Sequence, residues 1–172
     1  KAVHAERDAL IYAGSLDGIS VTAVNGTAAI TTQTAADVTV TAKTDASIDA
    51  SVESPEDIEA SITAGGSASV FSGRSIAGPI TASNGHARVD AGEDITGEIV
   101  AGQDAVINAI GDVSGDITAG RDVSVSAFGG LTGQVVAMRN ASVFVRGNID
   151  ATVTGGQDTA VTTLGDVTAA IE

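Results

Sequence analysis

The chain has 172 residues and a formal net charge of 8 − 22 = −14, and it contains no Cys and no Trp. This charge disfavours nucleic-acid binding, because phosphates are neutralised by basic surfaces, and the missing cysteines exclude disulfides and Cys-based zinc sites. No apolar run reaches the roughly 18 residues of a membrane span, so we expect no membrane insertion. Hydrophobic residues are 43% of the chain but aromatics only 2%. Small and β-branched residues dominate, which predicts strands around a narrow interior.

An internal repeat organises the chain from its first residues to its last. Successive units, at steps of 18 to 22 residues, start at Asp8, Thr27, Asp45, Ser67, His86, Asp104, Asp122, Asn140 and Asp158. The fourth column of this alignment contains only branched aliphatics: Ile11, Ile30, Ile48, Val70, Val89, Ile107, Val125, Val143 and Val161. The fourteenth column is equally uniform from Val3 to Ile171, and the tenth column begins with Leu16 and Ala36. Columns two and sixteen are mostly Ala.

Each unit alternates apolar and polar residues with a period of two, which is the pattern of β-strands. Polar pairs such as Gly111-Asp112 predict the turns, and small residues in column twelve predict a bend that gives each coil three short faces. The glycines at that column include Gly97, Gly115 and Gly133. One unit cannot bury its own apolar face, whereas stacked coils can.

We therefore predict an all-β fold in which residues 1–172 form a single parallel β-helix, or β-solenoid, with about 18 residues per coil. Roughly nine to ten coils, stacked about 4.8 Å apart, would make a rod about 45 Å long. A right-handed coil is favoured, since the left-handed hexapeptide helix needs an aliphatic at every sixth position and column sixteen is Ala. All four aromatics fall at outward columns: Tyr12, Phe71 and Phe144 in column five and Phe128 in column seven.

Both ends of the sequence fall partway through a coil, and neither shows a cap such as an amphipathic helix. Solenoids need polar caps, because a bare terminal coil presents unpaired strand edges. We expect an internal segment of a longer repeat protein, with a polymer that stacks end to end as the alternative.

The repeat G-D-[VI]-x-G-x-I-x-A-G-x-D-[VA]-x-V-x-A, clearest from Gly111 to Ala127, resembles the β-helical repeats of large bacterial exoproteins. These are adhesins of the filamentous-haemagglutinin type and contact-dependent inhibition stalks. The resemblance implies a right-handed β-helix, export to the bacterial cell surface, and adhesion or display of a tip domain, and it transfers no binding residue. The spacing V-x-G-x-I-x-A is also similar to that of bactofilins, which are cytosolic polymer-forming β-helices.

Recurrent aspartates at the turns are the candidate metal ligands. Stacked carboxylates repel one another, and a hard cation such as Ca²⁺ would relieve the repulsion. The candidates are Asp94, Asp104, Asp112 and Asp122. The alternative, which we favour, is that these side chains cap backbone N–H groups of their turns.

Four exposed apolar residues in the last four coils form a candidate interaction patch, for self-association or for packing on other parts of a parent protein. They are Ile110, Phe128, Phe144 and Leu164. The alternative is a set of singly exposed apolar side chains, which are common on protein surfaces. A host or cell-surface ligand for this rod stays unidentified.

Three other features have a binding interpretation beside a structural one. Column fifteen carries a Thr ladder (Thr22, Thr41, Thr63, Thr81, Thr118 and Thr154), which is either an ice-binding array or simple β-propensity. The third coil is longer, and Ser54-Pro55-Glu56-Asp57 with Asp49, Glu53 and Glu59 predict an acidic bulge, either a binding loop or a solvated turn. A carbohydrate-binding or carbohydrate-active β-helix would use this bulge or column five.

No residue pattern supports catalysis or a cofactor. His4 lies near the start of the sequence and His86 stands alone at a predicted turn. Enzymes on this fold carry acidic clusters flanked by long loops, whereas this sequence has one short insertion. We therefore expect a structural protein and not an enzyme.

Overall fold

A computed structural model describes residues 1–42, 50–54, 57–168 and 170–172, with 50–54 described by their backbone alone. These residues form β-strands and turns, with no helix among them. The strands are β1 Ala2–Ala5, β2 Ala9–Ala23, β3 Ala28–Ala42, β4 Ala50–Ser54, β5 Ile58–Ala64, β6 Ala68–Ser72, β7 Ile76–Ala77, β8 Ile80–Ala82, β9 Ala87–Ala91, β10 Ile95–Thr96, β11 Ile99–Ala101, β12 Ala105–Ala109, β13 Val113–Ser114, β14 Ile117–Ala119, β15 Val123–Ala127, β16 Leu131–Ala137, β17 Asn140–Val145, β18 Ile149–Gly155, β19 Asp158–Thr163 and β20 Ala170–Ile171.

Every strand pairs in parallel with the equivalent strand one coil earlier or later. Val89 on β9 pairs with Ile107 on β12, and Ile107 pairs in turn with Val125 on β15. Parallel pairing of this kind links the described strands from β1 to β20, so they stack as a solenoid of about nine turns spaced about 18 residues apart. The predicted parallel β-solenoid is confirmed.

The interior is a set of continuous ladders of small and branched side chains. Ile107 is fully buried between Val89 and Val125, which are also fully buried or nearly so. Val, Ile and Ala fill equivalent positions in coil after coil, because each side chain packs on its own counterpart about 4.8 Å away. Such a core has no room for rings, and all aromatics lie outside the buried set.

Glycines at column twelve form the predicted bend. Gly97 and Gly115 both have φ near +131°, a conformation reserved for glycine. Strand β10 ends just before Gly97 and β11 begins just after it, so the chain turns a corner there. A Cβ added at Gly115 would overlap the carbonyl oxygen of Gly97 in the coil below. Close stacking of backbone on backbone at this corner therefore excludes side chains.

Column four of the third coil differs from the sequence alignment. Val52, and not Ile48, pairs with Ile30 and with Val70. Ser54 is opposite Ser72 and Ile58 is opposite Ile76, so the third and fourth coils have equal lengths there. The additional residues of this coil therefore precede Ala50 and do not form an insertion at Ser54–Asp57.

The alignment had placed Ile48 in column four because it counted forward from Asp45, and both of these residues lie outside the described ranges, as do Asp49, Pro55 and Glu56. Glu53 is described by its backbone only. The predicted acidic bulge therefore lies largely outside the described residues.

Column ten of the second coil is also corrected by one residue. Ala35 is buried and pairs with Leu16, whereas Ala36 is exposed. The first two coils have one extra residue at the corner, and it is accommodated by left-handed backbone at Gly18 (φ 56°) and Asp37 (φ 50°). A bulge between Ala35 and Val38 then restores the register with the third coil.

Candidate functional site: a groove on the aromatic face

Columns five and seven project outward along one side of the solenoid, which we call the aromatic face. Its column-five side chains stack in register from coil to coil, because the strands that carry them (β6, β9, β12, β15, β17 and β19) are paired without slippage. In order they are Phe71, Asp90, Asn108, Ser126, Phe144 and Thr162. Tyr12, opposite Thr31, belongs to the same column in the first coil.

A shallow groove of about 390 Å³ crosses four coils of the aromatic face. Phe71 lies in its first coil, and Ile110 and Phe128 line its other end. Asp90, Asn108 and Ser126 contribute the polar side chains between these apolar groups. The groove thus combines apolar ends with a row of polar side chains, which we call the polar floor, and Ala91, Gly92 and Ala109 line it beside that row.

Hydrogen bonds fix the polar floor. The Asp90 carboxylate accepts one bond from Nε of Arg88 at 2.7 Å and another from Nδ2 of Asn108 at 2.6 Å. The Arg88 guanidinium also lies 5.6 Å from the ring centroid of Phe71. The charges of Arg88 and Asp90 therefore compensate each other within the groove.

A second arginine holds the ring at the other end. The guanidinium of Arg146 lies 4.2 Å from the centroid of Phe128, which is a cation–π distance. The backbone N–H of Phe128 bonds the carbonyl of Ala109, and that of Arg146 bonds the carbonyl of Ala127, so Phe128 stacks between Ile110 and Arg146. Arg146 thus covers the side of the ring that faces away from the groove.

The four predicted patch residues all lie exposed on the aromatic face, but the groove joins only two of them. Ile110 and Phe128 line it, whereas Phe144 (39% exposed) and Leu164 (76% exposed) lie in the coils beyond. Sequence analysis missed Phe71 as a partner of this patch, because it considered only the last four coils. The available signal was that Phe71 shares column five with Phe144.

The candidate metal-ligating aspartates make inter-coil hydrogen bonds. Asp94 accepts from the N–H of Asp112 at 2.7 Å, and Asp112 accepts from the N–H of Gly130 at 2.5 Å. Asp104 accepts from the N–H of Asp122 at 3.3 Å. The capped N–H thus belongs to the next coil and not to the aspartate's own turn. Each carboxylate fastens one turn to the one stacked on it.

Among the residues that the structure describes, no group of three or more His, Asp or Glu side chains is arranged to hold a metal ion. The strongest electrostatic contact among the four candidates is instead an ion pair. Asp122 accepts from Nη2 of Arg139 at 2.6 Å and from the backbone N–H and side-chain amide of Asn140. The hydrogen bond from Arg139 holds the pKa of Asp122 below its ordinary value, and the same contact raises the pKa of Arg139.

The two histidines occupy separate surface contacts. Nδ1 of His86 lies 3.2 Å from Asp104, and Nε of Arg121 lies 3.3 Å from the same carboxylate. His4 lies 4.0 Å from Glu6. These contacts place both imidazoles beside carboxylates at the surface of the rod.

The Thr ladder of column fifteen lies in register on another face. Thr22, Thr41, Thr63 and Thr81 are successive partners, and the series is then interrupted by Val100. The ladder's position is thus as predicted, and ice binding stays a prediction.

Over the part of the chain that the structure describes, no helix is long and apolar enough to cross a membrane. Comparisons with protein-family models, with curated proteins and with solved structures find no match to this chain.

Proposed function

We propose that the chain is a stiff, non-catalytic stalk segment of a secreted bacterial surface protein. The observation that supports this most is the parallel coil-on-coil pairing of the described strands from β1 to β20, in which the bulge between Ala35 and Val38 is a local irregularity. Bending or stretching such a rod requires many parallel backbone hydrogen bonds and the apolar ladders beneath them to separate together. A rod of this kind is suited to holding another module at a fixed distance.

The surface chemistry supports exposure to an aqueous medium. A net charge of −14 keeps neighbouring rods apart and disfavours adhesion to anionic lipids or nucleic acids. Turn aspartates fasten successive coils without Cys, so the rod needs no disulfide to stay closed. The similarity of the repeat to bacterial exoprotein stalks supports export.

Two measurements test this proposal. Small-angle X-ray scattering of the purified chain should give a monomeric rod about 40 Å long, which is about nine coils at 4.8 Å. Antibodies against the chain should label intact cells that produce it, and protease treatment of those cells should remove the label.

A different result would favour the other assembly. The purified chain would then form filaments in electron micrographs, and antibodies would label cells only after the cells are permeabilised. These two results would contradict the stalk and support an end-to-end cytosolic polymer.

A further inference from the structure

Every aromatic residue of this chain lies on the aromatic face. Tyr12, Phe71 and Phe144 occupy column five and Phe128 occupies column seven, and the chain has no other ring of the Phe, Tyr or Trp type. The core is filled by smaller side chains, so these rings are not needed to build the solenoid. Large apolar side chains placed along one exposed face indicate an interaction surface.

The groove between Phe71 and Phe128 has the length and direction of a linear ligand. These residues lie three coils apart, which is about 14 Å along the solenoid axis. Between them Asp90, Asn108 and Ser126 follow one another at the spacing of the coils. A ligand along this line meets one column-five side chain per coil, at intervals of about 4.8 Å, so an extended polymer can contact several coils at once.

We propose that this groove binds a neutral polysaccharide, with the sugar chain running along the solenoid axis. A pyranose ring has apolar C–H faces and polar hydroxyl edges. Phe128 and Ile110 offer apolar surface for the faces. Ser126 and the carbonyl oxygen of Asn108, whose amide nitrogen already donates to Asp90, can accept hydrogen bonds from the hydroxyls.

The groove is also organised before binding. Arg88 and Asn108 hold the Asp90 carboxylate from two sides, and Arg146 packs against the outer side of Phe128. Side chains fixed in this way lose little conformational entropy when a ligand is bound. The strands beneath them form part of the continuous ladder, so the spacing of the contacts is rigid.

Charge selects an uncharged sugar. The chain carries a net charge of −14, which repels anionic glycans. Arg88, whose side chain reaches the floor, is already paired with Asp90 at 2.7 Å. A neutral, hydroxyl-rich chain satisfies the floor without meeting this repulsion.

A second copy of the protein fits the groove less well. A second copy would cover Asp90, Asn108 and Ser126, and wherever it places one of its own apolar side chains over them it provides no new hydrogen bond, which costs free energy. Two copies would also repel each other through their negative charge. The inference concerns the chain itself and does not depend on where the rod is displayed.

The test uses the 172-residue chain and four soluble probes: cellohexaose, xylohexaose, mannohexaose and, as the anionic comparison, hexagalacturonate. Amide NMR shifts locate binding, and calorimetry measures affinity. We expect at least one neutral hexasaccharide to shift amides of residues 88–92, 108–110 and 126–128, and to bind more tightly than its disaccharide, which cannot span the groove.

Variants then test the contacts. Phe71→Ala and Phe128→Ala should each weaken binding at least about tenfold, because each removes an aromatic ring that lines one end of the groove. Leu164→Ala, an exposed apolar residue of the same face outside the groove, should leave the affinity unchanged. If either Phe variant fails to fold, the wild-type amide shifts still locate the site.

Several results would overturn the proposal. They are an absence of shifts with every neutral hexasaccharide, shifts centred on another face, or tighter binding of hexagalacturonate. Self-association that Phe128→Ala abolishes, without sugar binding, would assign the groove to a second copy instead.

Discussion

Glycine is required in this solenoid for two reasons, a positive φ and a lack of space for a Cβ, and three glycine-to-alanine substitutions separate them. Gly115 has φ +131° and its added Cβ would overlap the carbonyl oxygen of Gly97. Gly18 has φ +56°, but a Cβ there meets nothing within 4 Å. Gly14 has neither a positive φ nor a neighbour within 4 Å. From Gly14→Ala to Gly18→Ala the substitution gains backbone strain, and from Gly18→Ala to Gly115→Ala it gains steric overlap as well.

The expected changes in the free energy of unfolding differ in sign as well as in size. Gly14→Ala should stabilise by about 0.4–1 kcal/mol, since alanine restricts the unfolded chain. Gly18→Ala should lower the free energy of unfolding by about 1–2 kcal/mol, because alanine is strained in the left-handed conformation. The restriction of the unfolded chain by alanine offsets part of this loss. Gly115→Ala incurs about 1–3 kcal/mol of backbone strain, and about 1–3 kcal/mol more because rigid backbone must move. Its total loss is therefore about 2–6 kcal/mol.

Urea denaturation followed by far-UV circular dichroism measures the free energy of unfolding of the three variants. Because solenoids can unfold coil by coil, hydrogen exchange of the amides of Ile99 and Ile117 should be compared as well. Both strands, β11 and β14, flank the corner and should lose protection in Gly115→Ala only. The reasoning is refuted if Gly115→Ala is no more destabilising than Gly18→Ala.

Other substitutions test the core, the turns and the aromatic face. Ile107→Ala should lower the free energy of unfolding by about 2–5 kcal/mol, because Ile107 is fully buried. Ile110→Ala removes a residue that is 62% exposed and should change this free energy by no more than about 0.5 kcal/mol. Equal losses of the two variants in urea titrations would contradict the ladder core. The pKa of Asp122 is lowered in the fold by Arg139, so its ionisation stabilises the protein above the unfolded pKa of about 3.9. That contribution is lost as the pH falls through the folded pKa, and the stability difference between wild type and Asp122→Asn should shrink from pH 6 to pH 2; a pH-independent difference would argue against the ion pair. At concentrations where the wild-type chain self-associates in sedimentation velocity, Phe144→Ser should weaken that association, and an unchanged profile there would count against the patch as a contact surface.

The repeat made the fold predictable, because each buried ladder is visible as a column of like residues. Val89, Ile107 and Val125 align at a constant step of 18, and the structure stacks them directly. The same counting failed where the step changed. Ile48 occupied the expected column, but Val52 is the residue that pairs with Val70.

The candidate site was only partly predictable for a related reason. Columns identify which side chains point outward, so Ile110 and Phe128 could be assigned to one face. Column membership does not show which outward side chains bond to each other. The bonds to Asp90 from Arg88, two residues earlier on the same strand, and from Asn108, its direct partner in the next coil, depend on side-chain rotamers.

The amino-acid sequence by itself determined the parallel solenoid, the apolar ladders and the outward position of every ring, because strand alternation and stacking repeat the same local physics in each coil. Only the tertiary structure decided the register at the irregular coils and the partners of turn aspartates such as Asp94 and Asp112, which cap the next coil and not their own turns. It also decided that Phe71 and Phe128 share one groove. These features arise between coils, where residues about 18 positions apart meet through side-chain geometry that no single repeat unit encodes.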